Sequence, residues 1–301
     1  MYLLFVICPI KLRFMTHSRT LFQELTQQLR KAYAIEEAEA ISYRLLSHYL
    51  QIERMDVILN KAITQTFDFS AAIKQLLAFE PIQYVLGQEE FMNMTFDVAK
   101  GVLIPRPETE ELVQWIISDN TIDNPKILDI GTGSGCIPIA LAKNIKGSEI
   151  TSLDVSLEAL SIAQRNAQKN EVDINFIHHN IFDSYHWENG FDIIVSNPPY
   201  VRESEKVMMN TNVLSYEPAQ ALFVTDDDPL IFYRRIMELA TTLLNEEGKL
   251  YFEINEAFAQ EMIDLSFGIG FDNMILKKDF MFKDRFFLIK KTSNATFKRY
   301  E

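Results

Sequence analysis

The chain has 301 residues, of which 48% are hydrophobic and 24% charged, so it can bury a substantial core, and global disorder is excluded. Its 42 acidic and 29 basic residues give a net charge of −13, which argues against a protein that grips phosphate backbones over a wide surface. Cys8 and Cys136 lack metal-ligand spacing, so we expect a reducing, cytoplasmic setting rather than a disulfide framework or a structural zinc site.

The first ten residues are apolar, but this stretch is too short to span a bilayer. Lys11 and Arg13 follow the apolar stretch, whereas a secretory signal carries its positive charges in front of it. We therefore expect no membrane segment here, and we expect translation to begin at Met15 rather than at Met1.

A helical region is predicted between Arg19 and Phe79, where the chain contains no glycine. Leu21, Leu25 and Leu29 recur at the spacing that places side chains on one face of an amphipathic helix. Residues 16–80 are therefore predicted to form a small N-terminal helical bundle.

The pattern changes after Pro81, where residues 81–105 are predicted to form a hairpin linker. Within this segment, Gln83–Gly87 and Phe91–Asp97 have the composition of short strands. From residue 106 to 293, strand and helix patterns alternate, which is typical of an α/β fold with a parallel sheet and helices on both faces. The strands are predicted at 126–130, 149–154, 174–178, 191–196, 249–254, 273–278 and 285–291.

A glycine-rich turn follows the first of these strands, in the sequence Asp129-Ile-Gly-Thr-Gly-Ser-Gly135. The chain has only ten glycines, and three of them lie in this turn, where they let the backbone approach a ligand closely. Such a turn can cradle a dinucleotide, but here the spacing is Gly-x-Gly-x-Gly, and the Asp129 carboxylate is expected to face the ligand and repel a pyrophosphate. A ligand with a cationic end fits better.

Asp154 ends the second strand, 25 residues after Asp129. An acid at this position can accept hydrogen bonds from both hydroxyls of a ribose. Its alternative role is to cap the following helix, for which Ser156 is equally suited. We favour the ribose role because the glycine turn precedes it.

The most specific motif is Asn197-Pro-Pro-Tyr200, after the fourth strand. A residue before proline is held extended, and proline has no N–H, so the carbonyls of Asn197 and Pro198 project from a rigid strand end. With the Asn197 side-chain oxygen they form a cluster of acceptors beside the Tyr200 ring. This arrangement suits a planar –NH2 group, which these acceptors would hold by its two hydrogens.

Together, these three motifs resemble those of class I S-adenosylmethionine-dependent methyltransferases that act on planar amino groups. Four further segments narrow the resemblance to the release factor glutamine methyltransferase (HemK/PrmC) family: Gln83-Tyr-Val-Leu-Gly87, Phe91, Leu103-Ile-Pro-Arg-Pro-Glu-Thr-Glu110 and Tyr216-Glu-Pro-Ala-Gln-Ala-Leu222. The resemblance implies a seven-stranded mixed sheet with helices on both faces, preceded by a helical substrate-recognition domain and a hairpin. It also implies a protein-(glutamine-N5) methyltransferase that modifies the glutamine of the Gly-Gly-Gln motif in bacterial peptide chain release factors.

The resemblance also assigns roles to individual residues. The cofactor, S-adenosylmethionine, is expected at Gly131, Thr132, Gly133, Ser134 and Gly135 for its methionine part and at Asp154 for its ribose. Its adenine is expected near Asn180, Ile181 and Phe182, with Phe182 stacking on it. Asn197, Pro198 and Tyr200 are the expected catalytic residues; Pro199 joins them in binding the glutamine, and Asn197 also contacts the cofactor.

Two other functions remain open. An amino methyltransferase acting on adenine or guanine in DNA or RNA would use the same strand-end cluster, although the acidic charge and the lack of a basic, aromatic-interleaved segment disfavour a stable nucleic-acid partner. A regulatory module that only binds the cofactor would need the glycine turn but not Asn197-Pro-Pro-Tyr200. No metal site is expected, since the consecutive residues His178 and His179 point to opposite sides of a strand.

Overall fold

The structure, a computed structural model, describes residues 16–187, 190–291 and 296–300. The apolar N-terminus and the expected start at Met15 lie outside the described residues. The described residues divide into two compact units, one comprising residues 16–87 and 211–216 and the other comprising the described residues of 88–210 and 217–300. None of the helices in the described ranges is both long enough and apolar enough to cross a membrane.

The smaller unit is the predicted helical bundle. Leu21, Leu25 and Leu29 are buried on one face of its first helix, as the spacing predicts. Its elements are β1 (Thr16–His17), α1 (Ser18–Leu29), α2 (Ile35–Leu50), α3 (Arg54–Ile58), β2 (Ala62–Ile63), α4 (Ser70–Leu77) and α5 (Ile82–Leu86), with β1 and β2 antiparallel.

The prediction of a strand at Gln83–Gly87 is wrong, because α5 occupies this segment. The Pro81 carbonyl accepts hydrogen bonds from the N–H groups of Tyr84 and Val85, which begins a helical turn. Gly87 then ends the helix with a left-handed φ of 70°, a conformation that favours glycine. The predicted hairpin begins one residue later, as an antiparallel pair of short strands.

The larger unit contains the predicted alternation of strands and helices. Its strands are β3 (Gln88–Phe91), β4 (Met94–Asp97), β5 (Lys126–Ile130), β6 (Glu149–Asp154), β7 (Asn175–His178), β8 (Phe191–Ser196), β9 (Val201–Arg202), β10 (Phe223–Val224), β11 (Leu244–Glu253), β12 (Asn273–Lys278), β13 (Asp284–Lys290) and β14 (Thr296–Tyr300). Its α-helices are α6 (Pro107–Asp119), α7 (Cys136–Asn144), α8 (Leu157–Lys169), α10 (Ala219–Leu222), α11 (Ile231–Leu243) and α12 (Ala259–Ile269), while α9 (Thr211–Tyr216) belongs to the smaller unit.

The main sheet has the order β14-β12-β13-β11-β8-β5-β6-β7. Five adjacent strands are mutually parallel, in the order β11, β8, β5, β6 and β7. The strand β13 runs antiparallel to both of its neighbours. The seven expected strands are all present, and β14 adds an eighth strand at the edge, parallel to β12. The chain order reverses between β5 and β8, and ligands of open α/β sheets bind at the carboxyl ends of strands at such a point.

The core lies on both faces of this sheet, because successive side chains of a strand point to opposite sides. On β5, Leu128 and Ile130 pack into one cluster with α11 and α12. Ile127 packs into the other cluster, with α6 and α7. This double burial holds the ends of the central strands rigid where the site is built.

Candidate active site

A cavity of about 260 Å³ lies at the carboxyl ends of the parallel strands. It is bordered by the ends of β5, β6 and β8 and by the residues that follow them. Its lining includes Gly131, Gly133, Asp154, His179, Asn180, Ile181, Asn197, Pro198, Pro199 and Phe232. The sequence motifs after three different strands therefore meet at one site.

The glycine turn contributes two of its five residues to the cavity wall, Gly131 and Gly133. Both have positive φ angles, 84° and 55°, and an added Cβ at either position would meet no protein atom within 4 Å. Thr132 and Ser134 are buried, and neither borders the cavity. Gly135 serves packing instead, since a Cβ there would lie 3.1 Å from the Cβ of Ala163 in α8.

Asp154 lies in the cavity wall, where the prediction placed it. Its Oδ2 accepts a hydrogen bond from the N–H of Gly133 at 2.9 Å, and its Oδ1 accepts one from the N–H of Ser156 at 2.8 Å. Burial raises the pKa of this carboxyl above its ordinary value, and the hydrogen bonds from the two backbone N–H groups lower it in part. The alternative role considered for Asp154 was to cap the following helix. Ser156 caps that helix, α8, because its Oγ accepts a hydrogen bond from the N–H of Ala159.

Asp129 does not face the ligand as the sequence led us to expect. It is fully buried, and its Oδ2 accepts a hydrogen bond from the Ser152 hydroxyl at 2.6 Å. Burial raises the pKa of this carboxyl to about 7. The reason is the strand register, in which Asp129 pairs with Ser152 of β6, so the two side chains lie beside each other on one face of the sheet and neither borders the cavity.

The end of the cavity expected to bind adenine is bordered by His179, Asn180, Ile181 and Phe232. Phe182, which the resemblance assigns to the adenine, does not border the cavity. Its ring centroid lies 5.5 Å from that of Phe232, and it is 43% exposed. Asn180 Oδ1 accepts from the N–H of Phe182, which closes a local turn at these residues.

A second cavity of about 50 Å³ adjoins the first, because Leu103, Asn197, Pro198 and Ala221 line both. Its volume is several times the roughly 10–15 Å³ that one water requires. Tyr200 lines only the small cavity, and Pro199 lines only the large one. The structure therefore gathers the four residues of the predicted motif around the junction of two cavities.

Glu253, at the end of β11, is the site residue that the sequence analysis missed. Its Oε2 accepts from Asn197 Nδ2 at 2.9 Å and from the Thr109 hydroxyl at 2.7 Å, and its Oε1 accepts from the Tyr200 hydroxyl at 3.1 Å. Burial raises the pKa of Glu253, while hydrogen bonds from Thr109 and Tyr200 and the charge of Arg285 lower it in part. The available signal was an acidic residue at the end of an otherwise apolar strand, Leu250-Tyr-Phe-Glu253.

The charge of the large cavity suits a cationic ligand. Asp154 and Glu158 line it, and the described lining contains no lysine or arginine. S-adenosylmethionine carries a sulfonium and an ammonium group, and the cavity offers glycine backbone for close approach and a carboxylate for its ribose hydroxyls. The residues present therefore fit this cofactor.

Comparison with known proteins agrees with this geometry. The family described as PrmC N-terminal domain matches residues 20–87, and the family described as Methyltransferase small domain matches residues 108–225. A release factor glutamine methyltransferase of Flavobacterium psychrophilum is 47% identical, over 87% of this chain and 95% of its own length. The chain belongs to the release factor glutamine methyltransferase family. A second member, from Bacteroides thetaiotaomicron, is 44% identical over 87% of this chain and 95% of its own.

A solved structure also supports the fold assigned to this member of the release factor glutamine methyltransferase family. A methyltransferase from Pyrococcus furiosus superposes with a TM-score of 0.50 at 18% identity, covering 74% of this chain and all of its own. The expected class I methyltransferase fold is therefore confirmed. As a member of its family, the chain is an S-adenosylmethionine-dependent methyltransferase.

Proposed function

We propose that this chain transfers the methyl group of S-adenosylmethionine to the side-chain amide nitrogen of the glutamine in the Gly-Gly-Gln motif of a bacterial peptide chain release factor. Family membership supports the reaction, since relatives over 40% identical along nearly their whole length are release factor glutamine methyltransferases. The single structural observation that carries the proposal is the pair of adjoining cavities with Asn197 and Pro198 in the walls of both. One cavity suits the cofactor, and the other suits a small planar group.

The placement of each part follows from the chemistry of the residues. Gly131 and Gly133 accommodate the methionine part of the cofactor, and Asp154 binds its ribose. Asn180 and Ile181 border the adenine. The other residues of the turn, Thr132, Ser134 and Gly135, do not line the cavity and instead maintain the conformation of the turn.

An amide nitrogen is a poor nucleophile because its lone pair is delocalised into the carbonyl. When bound, S-adenosylmethionine supplies a methyl group already activated by a sulfonium. Asn197 Oδ1 and the Pro198 carbonyl would accept the two hydrogens of the –NH2 group and so align the nitrogen with that methyl. Positioning of this kind can lower a barrier by about 7 kcal/mol or more in favourable cases.

The same acceptors stabilise the positive charge that develops on the nitrogen. As the nitrogen–methyl bond forms, the bond between that methyl and the cofactor sulfur would break, leaving S-adenosylhomocysteine. The nitrogen would then release its proton to water, so the reaction requires no strong general base. Tyr200 closes one side of the small cavity with its ring, while its hydroxyl is held by Glu253.

Arg106 is suited to the carbonyl oxygen of the glutamine side chain. Among the described residues that line the small cavity, it is the only cation. One of its guanidinium nitrogens, Nη2, pairs with Glu217 Oε1 at 2.6 Å, and this pair orients the side chain. The cavity thus combines acceptors for the –NH2 with a donor for the oxygen, which selects a carboxamide over a carboxylate.

The function is tested by incubating the protein with methyl-labelled cofactor and one of three acceptors. Purified release factor should become labelled. Two other acceptors should stay unlabelled: a release factor in which the glutamine of the Gly-Gly-Gln motif is replaced by alanine, and bulk nucleic acid. Label in nucleic acid would favour the alternative, an adenine- or guanine-directed amino methyltransferase. Label in the alanine-substituted release factor would contradict the assignment of the glutamine.

We also propose that the helical residues 16–80 recognise the release factor, that residues 81–105 link them to a methyltransferase domain at 106–293, and that the reaction is cytoplasmic. The match of residues 20–87 to the PrmC N-terminal domain supports the first part, and the free, buried thiol of Cys136 agrees with a reducing compartment. A variant lacking residues up to Phe79 should lose affinity for release factor much more than for cofactor. Equal losses would contradict the recognition role.

A further inference from the structure

The side-chain amide of Asn197 has two different ends, and only one of them suits the substrate. Its oxygen accepts hydrogen bonds, whereas its nitrogen only donates them. A substrate –NH2 group also only donates, so it can be held by the oxygen and is repelled by the nitrogen. The orientation of this amide therefore decides whether the site can bind a carboxamide nitrogen.

Glu253 fixes that orientation in the structure. Asn197 Nδ2 donates to Glu253 Oε2 at 2.9 Å and lies 3.2 Å from the Thr109 hydroxyl oxygen. That hydroxyl itself donates to the same Oε2 at 2.7 Å, so both groups converge on one carboxylate oxygen. Because Oε2 acts as the acceptor for both donors, the reversed amide would place oxygen against oxygen.

The carboxylate is itself held from several sides. The Tyr200 hydroxyl donates to Oε1 at 3.1 Å, and the buried Tyr233 hydroxyl donates to the Glu253 main-chain carbonyl at 2.9 Å. The Glu253 residue is only 2% exposed, so water does not compete strongly for these bonds. One buried carboxylate therefore connects two residues of the Asn197-Pro-Pro-Tyr200 motif with α6.

We propose that Glu253 is a positioning residue for methyl transfer, which holds the Asn197 amide with its oxygen towards the substrate nitrogen and anchors the Tyr200 ring by its hydroxyl. This inference rests on the proposed function, because it assumes that the accepted group is a carboxamide –NH2. Glu253 acts through Asn197 and Tyr200, and its role is separate from binding the cofactor.

The first test is Glu253→Gln, which keeps the size of the side chain but offers one acceptor and one donor. The amide of Asn197 is then no longer held in a single orientation, and kcat with release factor should fall about 10- to 100-fold, as expected for one misdirected buried hydrogen bond. Cofactor affinity, measured by calorimetry, should change little. Wild-type protein in the same assay tests the proposed function independently, since failure to label release factor there would overturn that function and not this role alone.

Asp119→Asn is the matched control. Asp119 accepts from the Tyr251 hydroxyl at 2.6 Å and pairs with Lys249, so it too is a carboxylate bonded to a tyrosine. It is the last residue of α6, whereas Glu253 bonds Thr109 in the first turn of that helix. Its replacement should leave kcat near the wild-type value. An equal fall in kcat in both variants would assign the Glu253 effect to general destabilisation and overturn the proposal.

The second test exchanges the carboxamide and the carboxylate between positions 197 and 253. Asn197→Asp alone places a second acceptor against Glu253, and its kcat should fall below that of Glu253→Gln. Adding Glu253→Gln restores a donor to the pair, so the carboxylate introduced at position 197 would again present one oxygen to the substrate, and kcat should rise at least about tenfold over the single Asn197→Asp variant. A double variant no faster than that single variant would overturn the positioning role, because a merely structural residue gives no such rescue.

Discussion

The backbone N–H of Gly133 donates to Oδ2 of Asp154 at 2.9 Å, so a single carboxylate joins the turn after β5 to the end of β6. The other oxygen of Asp154 accepts from the N–H of Ser156. Asp154 therefore shapes the glycine turn and the start of α8 while it also faces the cavity. Loss of this side chain removes both a ligand for the cofactor and the support of the turn that surrounds it.

Asp154→Ala should weaken cofactor binding about 10- to 100-fold, because two charge-assisted interactions are lost at once. Calorimetry with S-adenosylmethionine measures this directly. Asp192→Ala is the control, since Asp192 also accepts from a backbone N–H, that of Lys126 at 2.8 Å, but at the opposite end of the strands. Similar affinities for the two variants would show that Asp154 does not bind the cofactor.

Asn197→Ala should reduce turnover at least about 100-fold while leaving cofactor affinity nearly intact, because the residue positions the acceptor nitrogen rather than the donor. Single-turnover rates with release factor and calorimetry with cofactor separate the two effects. Asn245→Ala provides the comparison, since the Asn245 amide bonds Asp192 at the far end of the sheet. A high residual rate combined with lost cofactor affinity would refute the role given to Asn197.

The strands that build the site were predictable from local pattern. Residues 126–130, 149–154 and 191–196 are strands at the predicted positions, because each is a short segment with aliphatic and β-branched residues that follows turn-forming residues. Gln83–Gly87 has a similar apolar composition but forms a helix, since Pro81 begins a helical turn and Gly87 ends it. In so short a segment, the flanking residues decide the structure more than the apolar pattern does.

The site residues could be predicted from the sequence where a polar residue or motif lies at the end of a strand or within a few residues after it. Asp154 and the residues of the Asn197-Pro-Pro-Tyr200 motif meet that condition, and they line the two cavities. Glu253 also ends a strand, but its role depends on a bond to Thr109, which lies 144 positions away in the sequence. Such a pair is set by the packing of α6 against β11, which local periodicity does not encode.

Phe232 and Phe182 offer a test of the adenine end of the cavity. Phe232 lines the cavity, whereas Phe182 contacts the Phe232 ring without lining the cavity. Phe232→Ala should therefore weaken cofactor binding about tenfold, as loss of base stacking does elsewhere. Phe182→Ala should have a clearly smaller effect on the same calorimetric affinity. The pair is well matched, because each variant loses the same ring-to-ring contact. A larger effect at Phe182 would return the stacking role to the residue that the sequence resemblance assigned.

Asp129 should make stability depend on pH between about pH 4 and pH 7. Burial raises its pKa to about 7, whereas an aspartate in the unfolded chain titrates near 3.9. Between these values the folded state keeps a proton that the unfolded state releases, so the free energy of unfolding falls as pH rises, by at most about 4 kcal/mol in total. Below this range both states are protonated, and above it both are ionised, so Asp129 contributes no further slope.

The Asp129→Asn variant isolates this effect because it has no carboxyl to titrate, while its size and its acceptor for the Ser152 hydroxyl remain. Urea unfolding of both proteins at about pH 5 and about pH 8 gives the change in unfolding free energy for each. The wild type should lose more stability over this interval than Asp129→Asn, since every other titrating group is common to both. Equal changes would mean that Asp129 is already ionised at about pH 5, and that the Ser152 hydroxyl and its surroundings stabilise the charge despite its burial.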